Sequence, residues 1–90
     1  MARYDVAPSE FIDTAALQGS TPDALYELGL MYCAGREVAA DLVTAHKWFN
    51  IAAMRGNDDA RRYRMEISRE MSKLEIAKAQ KAAREWLAKH

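Results

Sequence analysis

The sequence predicts an all-α domain, because helix-breaking residues are sparse and no segment has the polarity pattern of a strand. Glycine and proline occupy only positions 8, 19, 22, 29, 35 and 56, and no stretch alternates apolar and polar side chains as a half-buried strand does. The 90 residues are 50% hydrophobic and 29% charged, which is the balance of a globular chain. We therefore expect one domain over residues 1–90, built from about five antiparallel helices with short connections.

The first two predicted helices begin at capping side chains and end at glycines. Ser9 is expected to cap a short helix that runs to about Gln18 and ends at Gly19. A second helix is expected to start at Thr21, whose hydroxyl is followed by a proline and an aspartate, both favoured in a first helical turn. This helix is expected to end at Gly35.

Three more helices are predicted in the rest of the chain. Asp41 is expected to cap a third helix that ends at Gly56, and a fourth is expected from Asn57 to about Met71. Ser72 begins a capping-box pattern, S-x-x-E, which predicts a fifth helix that runs nearly to the last residue. One face of that helix is apolar and carries Ile76, Ala79, Ala83, Trp86 and Leu87.

The sequence repeats with a period of 37 residues. Displacing the chain by this period pairs Phe11 with Trp48, Ile12 with Phe49, Gly19 with Gly56, Tyr26 with Tyr63, Leu28 with Met65, and Leu30 with Ile67. Each unit contains an aromatic–apolar pair, two small residues, a glycine turn and a helix with an aromatic residue. A period in this range predicts stacked helical hairpins, each burying its apolar face on the next.

Small residues at the repeat positions indicate closely packed helices. Gly29, Ala52 and Ala53 allow helix backbones to approach each other, and Trp48 and Phe49 are expected to fill the wider space beside them. A glycine inside a helix costs about 1 kcal/mol relative to alanine. We expect that a close neighbouring helix is the reason Gly29 is tolerated.

One full unit, residues 24–60, carries an ordered pattern of small, aromatic and acidic residues. The pattern consists of Ala24, Leu28, Gly29, Tyr32, Gly35, Val38, Asp41, Ala45, Trp48, Phe49, Ala52, Ala53 and Gly56. It resembles a Sel1-like repeat, a relative of the tetratricopeptide repeat, and the chain is similar to short single-domain proteobacterial members of that family. Residues 9–19 resemble the second helix of a preceding repeat, and residues 57–90 resemble a divergent capping repeat. The resemblance implies a short α-solenoid.

Three positions depart from the pattern of the family. Glu37 stands where the family usually has a second glycine, so this loop is expected to bend differently. In the last unit Glu66 replaces Gly29, and Arg69 replaces Tyr32. The loss of these close-packing residues fits a terminal repeat with a polar outer face.

The formal net charge is zero, but the two parts of the chain carry opposite charges. Residues 1–54 contain three basic and seven acidic side chains, a balance of −4, and residues 55–90 contain ten basic and six acidic ones, a balance of +4. A solvated helix surface with clustered signs accounts for this pattern. An acidic partner for the second part, or head-to-tail self-association, would account for it as well.

Neither catalysis nor a cofactor or metal site is expected. One cysteine excludes an internal disulfide, the two histidines lack metal-ligand spacing, and there is no glycine-rich phosphate loop. Cys33 is expected to be a small buried hydrophobic residue, and His46 a half-exposed residue hydrogen-bonded to water or backbone. No apolar run approaches the ~20 residues of a membrane span and no secretory signal is expected, so the expected location is cytoplasmic.

A basic cluster surrounds Tyr63 and consists of Arg61, Arg62, Arg64 and Arg69. Helical spacing divides these arginines between two faces, whereas a phosphate-binding stripe lines one face. Glu66 and Glu70 are expected to supply local acidic partners, Glu66 at four residues from Arg62. Weak nucleic-acid binding through residues 61–69 is therefore a minor alternative.

The resemblance places the candidate binding residues on the first helix of each hairpin, which lines the concave surface in tetratricopeptide-like stacks. Tyr26 and Tyr63 hold equivalent positions, and tyrosine is suited to peptide recognition. Apolar contact is expected from Tyr26, Leu30, Tyr63 and Ile67, and charge selectivity from Glu27, Arg62 and Arg64. In the alternative interpretation both tyrosines are core residues with their hydroxyls at the rim.

The function expected from these features is non-enzymatic protein–protein interaction. The domain would act as a scaffold that presents a helical groove to a peptide or helix of another protein. The principal alternative is a structural subunit that self-assembles into a homo-oligomer, with chains stacked end to end.

Overall fold

The computed structural model describes residues 21–90, and this part of the chain is all-helical, without strands. Its four helices are α1 (Pro22–Ala34), α2 (Leu42–Met54), α3 (Asp58–Ser68) and α4 (Lys73–Lys89). The all-α prediction is thereby confirmed for these residues. The predicted helix that ends near Gln18, and the partial repeat 9–19, lie outside the described residues.

All four helices begin at the capping residues that the sequence predicts. The side chains of Thr21, Asp41 and Asn57 each accept a hydrogen bond from the backbone N–H three residues later, at 3.1, 3.2 and 2.8 Å. Ser72 and Glu75 form a complete capping box, with bonds of 3.1 and 2.8 Å. These bonds satisfy amides that have no partner within their own helix.

The prediction that glycines follow the ends of α1 and α2 is also confirmed, whereas the predicted end of α3 is wrong. Gly35 and Gly56 adopt left-handed backbone angles, with φ of 74° and 103°. α3 ends at Ser68, three residues before the expected Met71. The amides of residues 69–71 donate to carbonyls three residues back, so the chain tightens into a turn that buries Met71 and leads into the Ser72 cap.

The loop between α1 and α2 contains a strained residue. Glu37 has a φ of 66° and is the one residue other than glycine with a positive φ among the described residues. The loop is held in place at its end, because the Asp41 amide donates to the Tyr32 carbonyl at 3.0 Å. Glu37 therefore occupies a conformation that glycine adopts without steric cost.

We expect Glu37→Gly to raise the free energy of unfolding by up to about 1 kcal/mol. The left-handed conformation costs a residue with a Cβ about 1–2 kcal/mol, and the greater freedom of glycine in the unfolded chain offsets part of that gain. Urea unfolding of both proteins measures the difference. Glu37→Ala keeps the Cβ and serves as the control. A Glu37→Gly variant less stable than this control would contradict the strain.

α2 is the central helix, since it packs against α1, α3 and α4. The largest fully buried side chains are Trp48, Phe49, Leu25 and Ile51. Three of these four belong to α2, so the core forms around this helix. α1 and α3 lie on the same side of the fold and meet at a few positions.

The first helix pair is packed more tightly than the second. Gly29 faces the ring of Phe49, and a Cβ at position 29 would overlap the ring atoms Cδ1 and Cε1. The corresponding positions in the second unit are Glu66, which is exposed, and Trp86, which packs edge-on against Trp48 at 5.5 Å. α3 and α4 do not pack closely on each other. Both are held through α2 instead.

Among residues 21–90, the longest helix has 17 residues, and none combines the length and apolar character needed to cross a bilayer.

Candidate functional site

Three aromatic rings from three helices meet at one side of the fold. Tyr26 of α1 lies 6.0 Å from Phe49 of α2 and 5.9 Å from Tyr63 of α3, between ring centroids. Phe49 and Tyr63 are stacked at 5.6 Å, with 24° between their planes. We call these three residues the aromatic cluster. The repeat predicts the equivalence of the two tyrosines but gives no indication that Phe49 joins them.

The three residues of the aromatic cluster differ in their exposure to solvent. Phe49 is fully buried, Tyr26 is partly buried, and Tyr63 is 37% exposed. Burial raises the pKa of the Tyr26 phenol, and the neighbouring Tyr63 and Asp59 raise it further, so this hydroxyl is neutral near pH 7. Tyr63 is therefore accessible to a partner, and its ring is held in position by stacking on Phe49.

A groove of about 530 Å³ adjoins Tyr63, between α1 and α3. Its lining consists of Cys33, Tyr63, Glu66, Ile67, Arg69 and Glu70. We call it the α1–α3 groove. Ile67 is only 4% exposed, so this predicted contact residue belongs mainly to the core. Leu30 is partly buried against the same core.

The α1–α3 groove carries more negative than positive charge. Glu66 belongs to α3 and Glu70 to the turn that follows it, and Arg69 is the cationic residue of the lining. Burial raises the pKa of the Cys33 thiol, and the charges of Glu70 and Glu66 raise it further, so Cys33 is protonated near pH 7. A protonated thiol is a poor nucleophile.

The arginines of α3 are paired differently from the expectation. Arg62 forms an ion pair with Asp59, and Arg61 lies 3.6 Å from Asp58. The predicted pairing of Arg62 with Glu66 is therefore wrong. Each of these aspartates lies three residues before its arginine, which is a spacing that brings both side chains to one face of the helix.

Two other residues expected to select charge point away from the α1–α3 groove. Arg64 donates to the Asn50 side-chain oxygen at 2.6 Å, and this bond joins α3 to α2. Glu27 is exposed on α1 and lines a separate, smaller cavity of about 230 Å³ with Met31, Arg36 and Glu37. Sequence reasoning missed Cys33, Glu66 and Glu70 as lining residues. The sequence instead predicts both glutamates as local partners of the arginines.

His46 is buried, so the expectation that it is half-exposed is wrong. It is 2% exposed, and its Nε2 lies 3.1 Å from the Ser68 hydroxyl. That hydroxyl donates to the Arg64 carbonyl at 2.6 Å, so Nε2 carries the proton and donates to Ser68. His46 Nδ1 is buried without a hydrogen-bond partner. Burial lowers the pKa of His46, and the Arg64 guanidinium lowers it further.

We expect the stability of the chain to fall on acidification through the histidine range. Because the folded pKa of His46 lies below its ordinary value of 6.5, the unfolded chain binds more protons below about pH 7. The stabilising contribution is complete above the unfolded pKa and decreases as the pH falls towards the folded pKa. The slope for one proton is at most about 1.4 kcal/mol per pH unit.

Urea unfolding at several values between about pH 5 and 7.5 measures this dependence, in a range where carboxylates contribute little. His46→Gln is the matched control, because its amide can still donate to Ser68 but does not titrate in this range. We expect the variant to lose most of the slope. Equal slopes in both proteins would show that His46 is not responsible.

No group of three or more histidine, cysteine or acidic side chains within residues 21–90 is arranged to hold a metal ion. The comparisons with protein-family models, with curated proteins and with solved structures found no match to this chain.

Proposed function

We propose that this chain is a protein-interaction module of the Sel1-like class, and that the aromatic cluster and the α1–α3 groove together bind a segment of another protein without covalent chemistry. The observation that carries the proposal is the meeting of Tyr26 and Tyr63. They come from successive 37-residue units and lie 5.9 Å apart beside a groove. Two residues at equivalent positions of successive units therefore lie together on one face.

The arrangement of the helices supports a short solenoid. In a stack of helical hairpins, the first helices of successive units share one surface, and the second helices share the other. α1 and α3 are adjacent, and α2 packs against α4, as this order requires. The loose pairing of α3 with α4 fits a divergent terminal unit, because Glu66 stands where Gly29 admits the ring of Phe49.

Tyr63 has the properties of an interface anchor. The residue is 37% exposed, yet stacking on Phe49 restricts the movement of its ring before any partner binds. Contact with a preorganised aromatic side chain loses less conformational entropy than contact with a mobile one. Tyrosine also combines a large apolar surface with a hydroxyl that donates and accepts hydrogen bonds.

The length of α3 favours a short segment as the occupant. α3 has 11 residues and is therefore about 16 Å long. An extended peptide advances about 3.3 Å per residue, so about five residues span this helix. Such a contact is small for a protein–protein interface, and we expect reversible binding.

Site-specific photo-crosslinking tests the proposal. Tyr63 is replaced by the photoreactive p-benzoylphenylalanine, which keeps an aromatic ring at this position, and irradiation follows in lysate of the native host. The same replacement of Met65 is the control, because Met65 lies on the same helix and is more exposed, at 57%. We expect an adduct with another protein from position 63 and none from position 65. Equal adducts at both positions, or none at either, would contradict the proposal.

Self-assembly is the second candidate, and exposed apolar side chains favour it. Met54, Met65 and Leu74 are large, apolar and exposed, and the opposite charges of residues 1–54 and 55–90 would attract one chain to the next. A mass that rises with concentration and falls as salt screens the charges would support this candidate. A constant monomeric mass would exclude it. In the crosslinking experiment, self-assembly predicts adducts between two copies of the chain.

A further inference from the structure

We propose that the segment bound in the α1–α3 groove is basic, and that it places an arginine or lysine side chain between Glu66 and Glu70 against the ring of Tyr63. This inference rests on the proposed function, because it specifies the chemistry of the partner at the same groove. The lining residues that meet such a side chain differ from those that the sequence predicts for charge selection.

The first reason is the charge of the lining. Glu66 lies on α3 and Glu70 in the turn that follows it, and both line the same groove, where their like charges repel each other. Neither forms an ion pair with a described residue. Arg69 supplies one positive charge, which does not balance the two negative charges of the glutamates. A cation from a partner would relieve the repulsion and leave the groove neutral.

The second reason is that the neighbouring arginines are engaged elsewhere. Arg61 and Arg62 pair with Asp58 and Asp59 at the beginning of α3, and Arg64 binds Asn50. These bonds hold three cations away from the two glutamates. Glu66 and Glu70 therefore remain open to a cation from outside the fold.

The third reason is the apolar surface beside the carboxylates. Tyr63, Cys33 and Ile67 line the groove together with the two glutamates. An arginine or lysine side chain has an aliphatic stem and a charged end, and it fits a site with these two parts side by side. The face of a tyrosine also attracts a guanidinium or an ammonium group. An acidic segment would meet two carboxylates and gain only Arg69.

Selection from a phage-displayed library of random dodecapeptides on the full chain tests this inference. We expect the peptides enriched on the wild type to contain an excess of arginine and lysine over the unselected library. A Glu66→Lys/Glu70→Lys variant reverses the charge of the groove, and we expect it to enrich acidic peptides. Enrichment of neutral or acidic peptides on the wild type would overturn the inference but leave the proposed function standing. Absence of any enrichment would contradict both.

A second measurement compares affinities for one enriched basic peptide. Two exposed ion pairs are together worth a few-fold to about thirtyfold in affinity, so we expect Glu66→Gln/Glu70→Gln to weaken binding by about that factor at low salt. Glu37→Gln/Glu85→Gln removes two carboxylates outside the α1–α3 groove and is the matched control. Equal losses in both variants would show that only the overall charge matters, which would overturn the placement between Glu66 and Glu70.

Discussion

Trp48→Ala is expected to destabilise the chain by about 3–5 kcal/mol, which leaves it largely unfolded at 25 °C. Trp48 is 1% exposed and belongs to α2, the helix against which all the others pack. Its ring contacts Trp86 edge-on, with 80° between the ring planes, and this pair attaches α4 to the core. Truncation removes this contact and leaves a cavity that a domain of this size cannot easily close. Circular dichroism during thermal and urea unfolding measures the loss.

Trp48→Phe is the control for this prediction. It keeps an aromatic ring and removes the indole N–H, which is buried without a hydrogen-bond partner. We therefore expect a smaller loss than with alanine, because part of the lost packing is offset by removal of an unsatisfied polar group. A Trp48→Ala variant that melts at the wild-type temperature would show that Trp48 lies outside the core.

Gly29→Leu is the second substitution with a large expected effect. Even a Cβ at position 29 would overlap the ring of Phe49, which is fully buried and also stacks on Tyr63. Leucine adds three further carbons at the same place. Overpacking typically costs about 1–3 kcal/mol, and we expect at least this loss because the leucine would meet a ring that is already fully buried. Urea unfolding measures it.

The sign of the effect of Gly29→Ala provides a sharper control. Helix propensity alone predicts a gain of about 1 kcal/mol, whereas the overlap with Phe49 predicts a loss. Combining Gly29→Ala with Phe49→Leu removes ring atoms that the Cβ would meet, so we expect the second substitution to cost less in the Gly29→Ala background than in the wild type. A stabilising Gly29→Ala would mean that α1 and α2 are not packed as described.

The helix boundaries are largely predictable because they depend on neighbouring residues. The capping side chains bind amides three residues away, as Asp41 does with Thr44, and Gly35 ends α1 through its own backbone conformation. The end of α3 is less predictable. Met71 is buried by packing against other helices, and this packing determines where α3 gives way to a turn. The neighbouring sequence contains no residue that marks this position.

Features that depend on contacts between helices are harder to predict. His46 resembles an ordinary polar helix residue in the sequence, but the arrangement of α2 and α3 buries it against Ser68. Gly29 is an exception, since a glycine inside a helix indicates a close neighbour. The identity of that neighbour, the ring of Phe49, is visible only in three dimensions.

The candidate site is predictable in part. The 37-residue period shows that Tyr26 and Tyr63 are equivalent, and the structure brings them together. The charged residues are less predictable, because an arginine on α3 has acidic neighbours both before and after it. Arg62 forms its ion pair with Asp59 and not with Glu66, so the Glu66 carboxylate remains available in the groove.

Comparative affinity capture tests the central claim, that the two tyrosines form a protein-binding surface. Lysate of the native host is passed over the wild type and over a Tyr26→Ala/Tyr63→Ala variant whose fold is verified by circular dichroism. Tyr63→Ala alone replaces the double variant if that protein is unfolded. A Met65→Ala/Leu74→Ala variant, which truncates two exposed apolar side chains elsewhere, is the matched control.

The account predicts that a protein is retained by the wild type and by the control but is lost from the tyrosine variant. Equal recovery of the same proteins by all three would contradict it.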